Sequence, residues 1–253
     1  MDENDLDLLV DFHVDGLRQG PGSAEATRRA LGFLPPEGRR NRRTADIGCG
    51  TGAAALVLAE ELGTTVTAVD LFRPFLDRLE FRAAEIGLAG RIRTVEASMD
   101  ALPFADESFD LIWSEGAVYV MGFAEGVRAW RRFLPIGGYL VVSELSWLTD
   151  RRPADLDAHW TSEYPEIDTV SGKIRILEAA GYAPEGHFIL PPEDWENFYY
   201  RPMEARFQGF LERHGYSEAA RRLVEGERRE MDLFERNREY YGYVFYIARK
   251  IDL

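Results

Sequence analysis

A glycine-rich turn between a short strand and a helix is the part of this sequence best suited to bind a ligand. The stretch is Thr44-Ala-Asp-Ile-Gly-Cys-Gly-Thr-Gly52. Glycine adopts positive φ and lets a ligand approach the backbone closely, and the following helix directs free N–H groups to the same place. About 20 residues later Asp70 ends a second predicted strand, the usual position of an acid that binds a ribose. The sequence therefore predicts a nucleoside-containing ligand.

Two classes of ligand compete for this turn. The spacing Gly48-x-Gly50-x-x-Ala53 fits the dinucleotide fingerprint, which would indicate NAD or a flavin nucleotide. Asp46, however, stands two residues before the first glycine, where its carboxylate would repel a pyrophosphate and attract an ammonium group. Gly52 also brings the backbone closer to the ligand than a phosphate turn requires. The residues favour a ligand with an ammonium group and leave a dinucleotide as the alternative.

The segment Asp46-Ile-Gly-Cys-Gly-Thr-Gly52 resembles the first motif of class I S-adenosylmethionine-dependent methyltransferases. The resemblance implies that S-adenosyl-L-methionine is the cofactor and that the loop wraps its methionine part. The loop residues it assigns to cofactor binding are Asp46, Gly48, Cys49, Gly50 and Gly52. It also implies that Asp70 binds both ribose hydroxyls.

The same resemblance indicates where the adenine ring would lie. Family members usually have Gly-Asp-Ala after the third strand, and the Asp binds the adenine amino group. This chain has Ala97-Ser98-Met99, so Ser98 replaces that Asp with an uncharged hydroxyl. Met99 would offer its backbone N–H to the ring and its soft side chain to one ring face, and Leu71 would cover the other face. Core packing is the alternative role for Met99.

Candidate catalytic residues follow the fourth predicted strand. The family places residues that face the sulfonium and the substrate at this strand end, which is occupied here by Ser114, Glu115 and Gly116. Glu115 could stabilise the sulfonium or act as a base, and Tyr119 could orient a substrate. The alternatives are a solvated loop acid at Glu115 and a packed helix residue at Tyr119.

The N-terminal segment supplies further candidates. Residues 5–17 have the apolar spacing of a helix, and His13 lies on the apolar face, either as a packed histidine or as a base near the substrate. The turn that follows contains Gln19 and Gly20, which form either a plain connector or a lid over the methionine end of the cofactor.

From residue 44 onwards, predicted strands alternate with predicted helices. This alternation predicts an α/β fold, a Rossmann-like doubly wound and mostly parallel sheet with helices on both faces. The family resemblance implies seven strands, the last of them antiparallel. We expect one domain, 1–253, with an N-terminal helical cap in 1–35 and insertions at 146–168 and 191–238 near the substrate side or the surface.

Composition narrows the set of partners and locations. The chain has 253 residues, 45% of them hydrophobic, and a net charge of −14, which disfavours binding to nucleic acid or anionic membranes. Cys49 is the single cysteine, so an internal disulfide is impossible. No signal peptide, membrane-spanning stretch or metal-ligand spacing is visible. These features predict a cytoplasmic protein without a metal, either a monomer or a homodimer.

These observations lead to a functional hypothesis with two alternatives. The hypothesis is methyl transfer from S-adenosylmethionine to a small-molecule acceptor by in-line displacement, where positioning alone can provide roughly 7–11 kcal/mol of the barrier. The alternatives are an NAD-linked oxidoreductase and a protein that binds the cofactor without turnover. No residue identifies the methyl acceptor.

Overall fold

One mixed sheet organises the computed structural model, which describes residues 3–36 and 42–252. Its strands are β1 Thr44–Ile47, β2 Val66–Asp70, β3 Ile92–Glu96, β4 Leu111–Glu115, β5 Tyr139–Trp147, β6 Asp168–Thr169, β7 Tyr182–Ile189 and β8 Tyr241–Lys250. The order is β3-β2-β1-β4-β5-β8-β7, and the two-residue β6 pairs with β5 off this path. Only the β8 pairings, with β5 and β7, are antiparallel. The predicted Rossmann-like sheet is therefore confirmed, with β6 as an addition to the seven strands.

Helices cover both faces of the sheet. They are α1 Glu3–Val14, α2 Ala24–Leu31, α3 Ala53–Leu62, α4 Arg73–Glu85, α5 Phe123–Trp130, α6 Ala154–Glu163, α7 Val170–Ala179, α8 Pro192–Trp195, α9 Arg201–Glu204, α10 Phe207–Arg213 and α11 Glu218–Asn237, with a π-helical turn Glu196–Tyr200 between α8 and α9. Among the described residues, no helix combines the length and the apolar character needed to cross a bilayer.

The strand residues alternate between two cores because successive side chains point to opposite faces of a sheet. Val141 and Phe245 pack with α2, α3 and α4 on one face. Leu140 and Tyr246 pack with α5 and α7 on the other. β5 is buried along its whole length because its side chains alternate between these two cores, each of which is covered by helices as expected.

A third apolar cluster lies beyond the carboxyl end of β5. It joins Phe12 of α1 and Trp147 of β5 to side chains of the segments 146–168 and 191–238. Its rings pack closely, since those of Trp195 and Phe234 are stacked with centroids 4.1 Å apart. The segment 146–168, expected to be an insertion, begins inside β5 and contains α6.

The first helix differs from its prediction over residues 5–17. It ends at Val14, where the N–H of Gly16 donates to the carbonyl of His13 at 2.8 Å and turns the chain. Leu17 is consequently 61% exposed. The buried residue of this helix is Phe12, because its ring enters the aromatic cluster of the C-terminal helices.

Replacing a central core residue should lower the stability of the whole sheet. Phe245 is fully buried in β8 and stacks on Phe188 at 5.0 Å. We expect Phe245→Ala to lower the free energy of unfolding by about 3–5 kcal/mol, because the cavity refills only partly. Urea denaturation would measure this loss. Ile136→Ala, at a side chain 61% exposed, should change stability by less than about 0.5 kcal/mol; similar losses for both variants would contradict the assignment of the core.

Candidate functional site

A cavity of about 600 Å³ opens at the carboxyl ends of the parallel strands. This is where α/β sheets bind ligands, next to the point where the strand order reverses. The predicted site residues that line the cavity are Gln19, Gly20, Asp46, Gly48, Cys49, Gly50, Asp70, Leu71, Ser98, Met99, Glu115 and Tyr119. The fold therefore brings together residues from the N-terminal cap, the glycine loop and three later strand ends.

The backbone N–H groups of the glycine loop are already occupied. Each of them, from residue 48 to residue 52, donates to an acceptor of the protein itself. The bonds are Gly48 N and Cys49 N to Val69 O (2.9 and 3.0 Å), Gly50 N to Asp70 Oδ2 (2.8 Å), Thr51 N to Gln19 Oε1 (2.9 Å) and Gly52 N to Cys49 O (2.9 Å). A pyrophosphate needs free N–H donors at this place, so the loop is poorly suited to a dinucleotide.

Asp46 supplies a buried acceptor next to this loop. Its side chain is 1% exposed, and its Oδ2 finds no hydrogen-bond donor among the described residues. Burial, followed by the nearby carboxylates of Glu115 and Asp70, raises the pKa of Asp46 well above its usual value. Because a buried carboxylate without a partner is costly, a ligand with an ammonium group would be stabilised here.

Asp70 is positioned by the backbone around it. Its Oδ2 accepts from Gly50 N, and its Oδ1 accepts from Phe72 N at 3.0 Å. Burial raises the pKa of Asp70, and these N–H groups oppose that effect. A carboxylate has about four lone-pair sites, so both oxygens retain acceptor capacity while their position is fixed.

Arg18 is the cavity residue that the sequence analysis missed. Its guanidinium donates to Glu115 Oε2 at 2.7 Å, and the pair is almost fully buried. Glu115 Oε1 accepts from Thr27 Oγ1 at 2.7 Å and from Trp113 Nε1 at 2.9 Å. The sequence signal for Arg18 was a basic residue directly before Gln19, in the segment expected to be either a plain connector or a lid.

The segment 15–23, which we call the strap, is fastened to the glycine loop. Gln19 Nε2 donates to the carbonyls of His13 and Gly16, both at 3.2 Å, while its Oε1 accepts from the loop. A Cβ at Gly50 would overlap Gln19 Oε1, so glycine is required there. Arg82 donates to the carbonyl of Thr51 at 2.7 Å. The strap thus forms a wall of the cavity.

The opposite end of the cavity is apolar. Trp130 Nε1 donates to the carbonyl of Met99 at 3.0 Å and fixes this residue beside Ser98. Leu71 and Tyr119 lie near the mouth and are 54% and 49% exposed, and Val120 is 66% exposed. These side chains offer flat apolar contacts for a ring and for a second small molecule.

Three predicted residues lie outside the lining. Gly52 has φ +86°, and a Cβ there would overlap Leu79, so this glycine serves close packing. Ser114 is fully buried, and its Oγ has no hydrogen-bond partner among the described residues. His13 lies behind the strap. No group of three or more His, Cys, Asp or Glu in the described part of the chain has metal-binding geometry.

Comparison with known proteins consistently identifies methyltransferases as the relatives of this chain. A family model described as a methyltransferase domain matches residues 45–142. The chain is 30% identical to the uncharacterized methyltransferase YodH of Bacillus subtilis over 196 residues, which are 76% of this chain and 79% of YodH. It is 29% identical to the 27-O-demethylrifamycin SV methyltransferase of Amycolatopsis mediterranei over 234 residues, 89% of this chain and 83% of that protein.

Other similarities cover less of the relative or concern only the fold. Methyltransferase GfsG of Streptomyces halstedii is 34% identical over 101 residues, 40% of this chain and 36% of GfsG, so the chain spans about a third of that protein. A methyltransferase from Geobacter sulfurreducens, solved with S-adenosylhomocysteine, superposes with a TM-score of 0.73 over 86% of this chain and 92% of that chain. Its sequence identity of 18% limits the likeness to the fold.

The environment of His13 predicts its titration. Burial, assisted by Arg206, lowers the pKa of His13 to about 4, from about 6.5 in an unfolded chain. The unfolded state therefore binds more protons between these values, and the free energy of unfolding should fall as the pH drops from 6.5 towards 4. NMR titration of the imidazole should give a midpoint at about pH 4, and His13→Gln should reduce the pH dependence of stability. A midpoint near 6.5 would contradict the buried environment.

Proposed function

The chain belongs to the class I S-adenosylmethionine-dependent methyltransferases, and we propose that its methyl acceptor is a small molecule held in the cavity beside Tyr119. The observation that carries the proposal is the pairing of an occupied glycine loop with Asp46, whose buried Oδ2 has no donor among the described residues. A ligand that ends in an amino acid satisfies both features. Its ammonium group can bind Asp46, and the ligand does not require free backbone N–H groups for a phosphate.

We propose the following roles for the residues that hold the cofactor. Asp46 binds the ammonium group, and Arg18, whose guanidinium lines the cavity beside Glu115, binds the carboxylate. Asp70 accepts from the ribose hydroxyls. Ser98, Met99 and Leu71 hold the adenine ring. When bound, S-adenosylmethionine supplies a methyl group already activated by the sulfonium, so the chain needs to position the acceptor and exclude water.

The geometry around Glu115 favours a positioning role over that of a base. Both of its oxygens accept hydrogen bonds, from Arg18, Thr27 and Trp113. These donors occupy acceptor sites on both carboxylate oxygens and fix their position. We therefore propose that Glu115 orients Arg18, and that Tyr119 at the mouth of the cavity contacts the acceptor.

Three observations support a small acceptor. The site is a concave, mostly apolar cavity of about 600 Å³, within the usual range for small-molecule sites. The net charge of −14 opposes nucleic acid, and one relative is named for a small compound, 27-O-demethylrifamycin SV. Release of S-adenosylhomocysteine in the presence of a metabolite extract would distinguish turnover from binding alone.

The role of Asp70 predicts a large loss of affinity in a variant. Asp70→Ala should weaken S-adenosylmethionine binding by about 3–6 kcal/mol, on the order of 10²–10⁴ in Kd, because two hydrogen bonds to a charged group are lost. Isothermal titration calorimetry would measure the loss. Asp77→Ala, at an exposed residue of α4 paired with Arg73, is the control. Unchanged affinity in Asp70→Ala, or binding of NAD in place of the sulfonium compound, would reject the proposal.

The role of Arg18 can be isolated with a truncated ligand. Arg18→Met should weaken binding of S-adenosylhomocysteine roughly tenfold to a hundredfold, because a charge-assisted hydrogen bond is worth about 1.5–3 kcal/mol. Methylthioadenosine lacks the amino-acid end and should bind the variant as well as it binds the parent chain. Equal losses for both ligands would mean that Arg18 acts by holding the strap in place.

A further inference from the structure

A cluster of tyrosines stands behind the acceptor end of the cavity. We call it the tyrosine–glutamate cluster, and its members are Tyr119, Tyr199, Tyr200, Tyr241, Tyr243 and Glu230. Trp195 joins three of these rings, since its centroid lies 5.9 Å from that of Tyr200, 6.4 Å from that of Tyr241 and 5.3 Å from that of Tyr243. The Tyr199 ring lies 5.3 Å from that of Tyr200, so these four tyrosines and Trp195 form one continuous aromatic wall.

The cluster adjoins the cofactor cavity at two points. Tyr119 lines the cavity directly, and so does Gly116. A Cβ on Gly116 would lie 3.4 Å from Tyr243 Cε1 and 3.5 Å from Tyr243 Oη. Tyr243 is only partly buried, unlike its neighbours in β8, so its hydroxyl lies close to the wall where the acceptor must sit.

The carboxylate of Glu230 acts electrostatically on all five tyrosines of the cluster. Its Oε1 accepts from Tyr200 Oη at 3.1 Å, and no arginine or lysine of the described residues forms an ion pair with it. Burial raises the pKa of each of the five tyrosines, and the carboxylate of Glu230 raises each of them further. The tyrosines therefore stay neutral hydroxyl donors. Burial also raises the pKa of Glu230, and the hydrogen bond from Tyr200 and the nearby His159 oppose that effect.

Two nearby polar side chains add a second observation. Tyr241 is 1% exposed, and its hydroxyl has no hydrogen-bond partner among the described residues. Glu144 is fully buried, with Oε2 unpartnered in the same sense, and its charge acts on both Tyr119 and Tyr243. The buried Lys173 donates to Tyr164 Oη and to the carbonyl of Glu166, each at 2.8 Å, and its charge opposes the effect of burial on the pKa of Glu144.

The chemistry of this wall favours a cation. Aromatic faces attract ammonium groups, most strongly where water is excluded, and a buried carboxylate without a counter-charge is stabilised by one. A carboxylate or phosphate on the ligand would instead face Glu230, which forms no ion pair with an arginine or lysine of the described residues. We propose that the tyrosine–glutamate cluster recognises an amine on the methyl acceptor, which makes amine-bearing small molecules the substrate class; this rests on the proposed placement of the cofactor in the adjoining cavity.

Three phenols that differ in one group test the proposal. Tyramine, 4-ethylphenol and 3-(4-hydroxyphenyl)propionate share a phenol ring and a two-carbon chain. The chain carries an ammonium group in tyramine, no charged group in 4-ethylphenol and a carboxylate in the propionate. With the protein saturated by S-adenosylhomocysteine, calorimetry should give a Kd for tyramine at least tenfold lower than that for 4-ethylphenol, with the propionate weakest. If the propionate binds as tightly as tyramine, the proposal is overturned.

A matched pair of variants assigns the effect to Glu230. Glu230→Gln keeps an acceptor for Tyr200 and should weaken tyramine binding about tenfold while leaving 4-ethylphenol binding unchanged. Glu225→Gln, at an exposed acid of the same helix, should change neither. Unaltered tyramine binding in Glu230→Gln would overturn the assignment. If the proposed function is wrong, a different result is expected: S-adenosylhomocysteine itself would not bind when the protein is titrated with it before the phenols are added.

Discussion

The site depends on one constraint: the donors of the glycine loop are used by the protein, while one oxygen of a buried acid beside the loop is left without a donor. Gly50 and Thr51 give their N–H groups to Asp70 and Gln19, so the loop is a fixed structure. Asp46 is buried next to it, and its Oδ2 has no donor among the described residues. Such an arrangement is expensive in the free protein, and the proposed ammonium group of the ligand would relieve it.

The strap completes this discrimination from the other side. Gln19 occupies the loop amide that an anionic group would otherwise meet, and Arg18 brings a guanidinium into the cavity under the control of Glu115. The strap thereby disfavours a pyrophosphate at the loop through Gln19, and through Arg18 it contributes a positive charge for the carboxylate of the proposed cofactor. Its attachment through Arg82 to the carbonyl of Thr51 makes the cap and the sheet one binding unit.

The acceptor side is built differently, from the C-terminal helices and the antiparallel strand β8. Aromatic side chains fill the space beyond the end of β5, and the acid of α11 lies among them. The proposed cofactor end therefore relies on backbone geometry and on the paired charges of Arg18 and Glu115, whereas the proposed acceptor end relies on aromatic rings and on Glu230. Function on a shared fold resides in such local sites.

The sequence by itself determined the fold class and predicted one ligand site at the strand ends, because glycine spacing, Asp46 and Asp70 are local signals and the carboxyl ends of parallel strands must meet at one edge. Tyr119 and Gln19, which it also named, line the same cavity as Asp46 and Asp70. Only the tertiary structure decided that Glu115 is saturated by Arg18, Thr27 and Trp113, that His13 lies outside the cavity, and that Glu230 stands among five tyrosines. These features join residues as many as 124 positions apart, as Tyr119 and Tyr243 are, and such contacts are set by packing, which has no signature in local spacing.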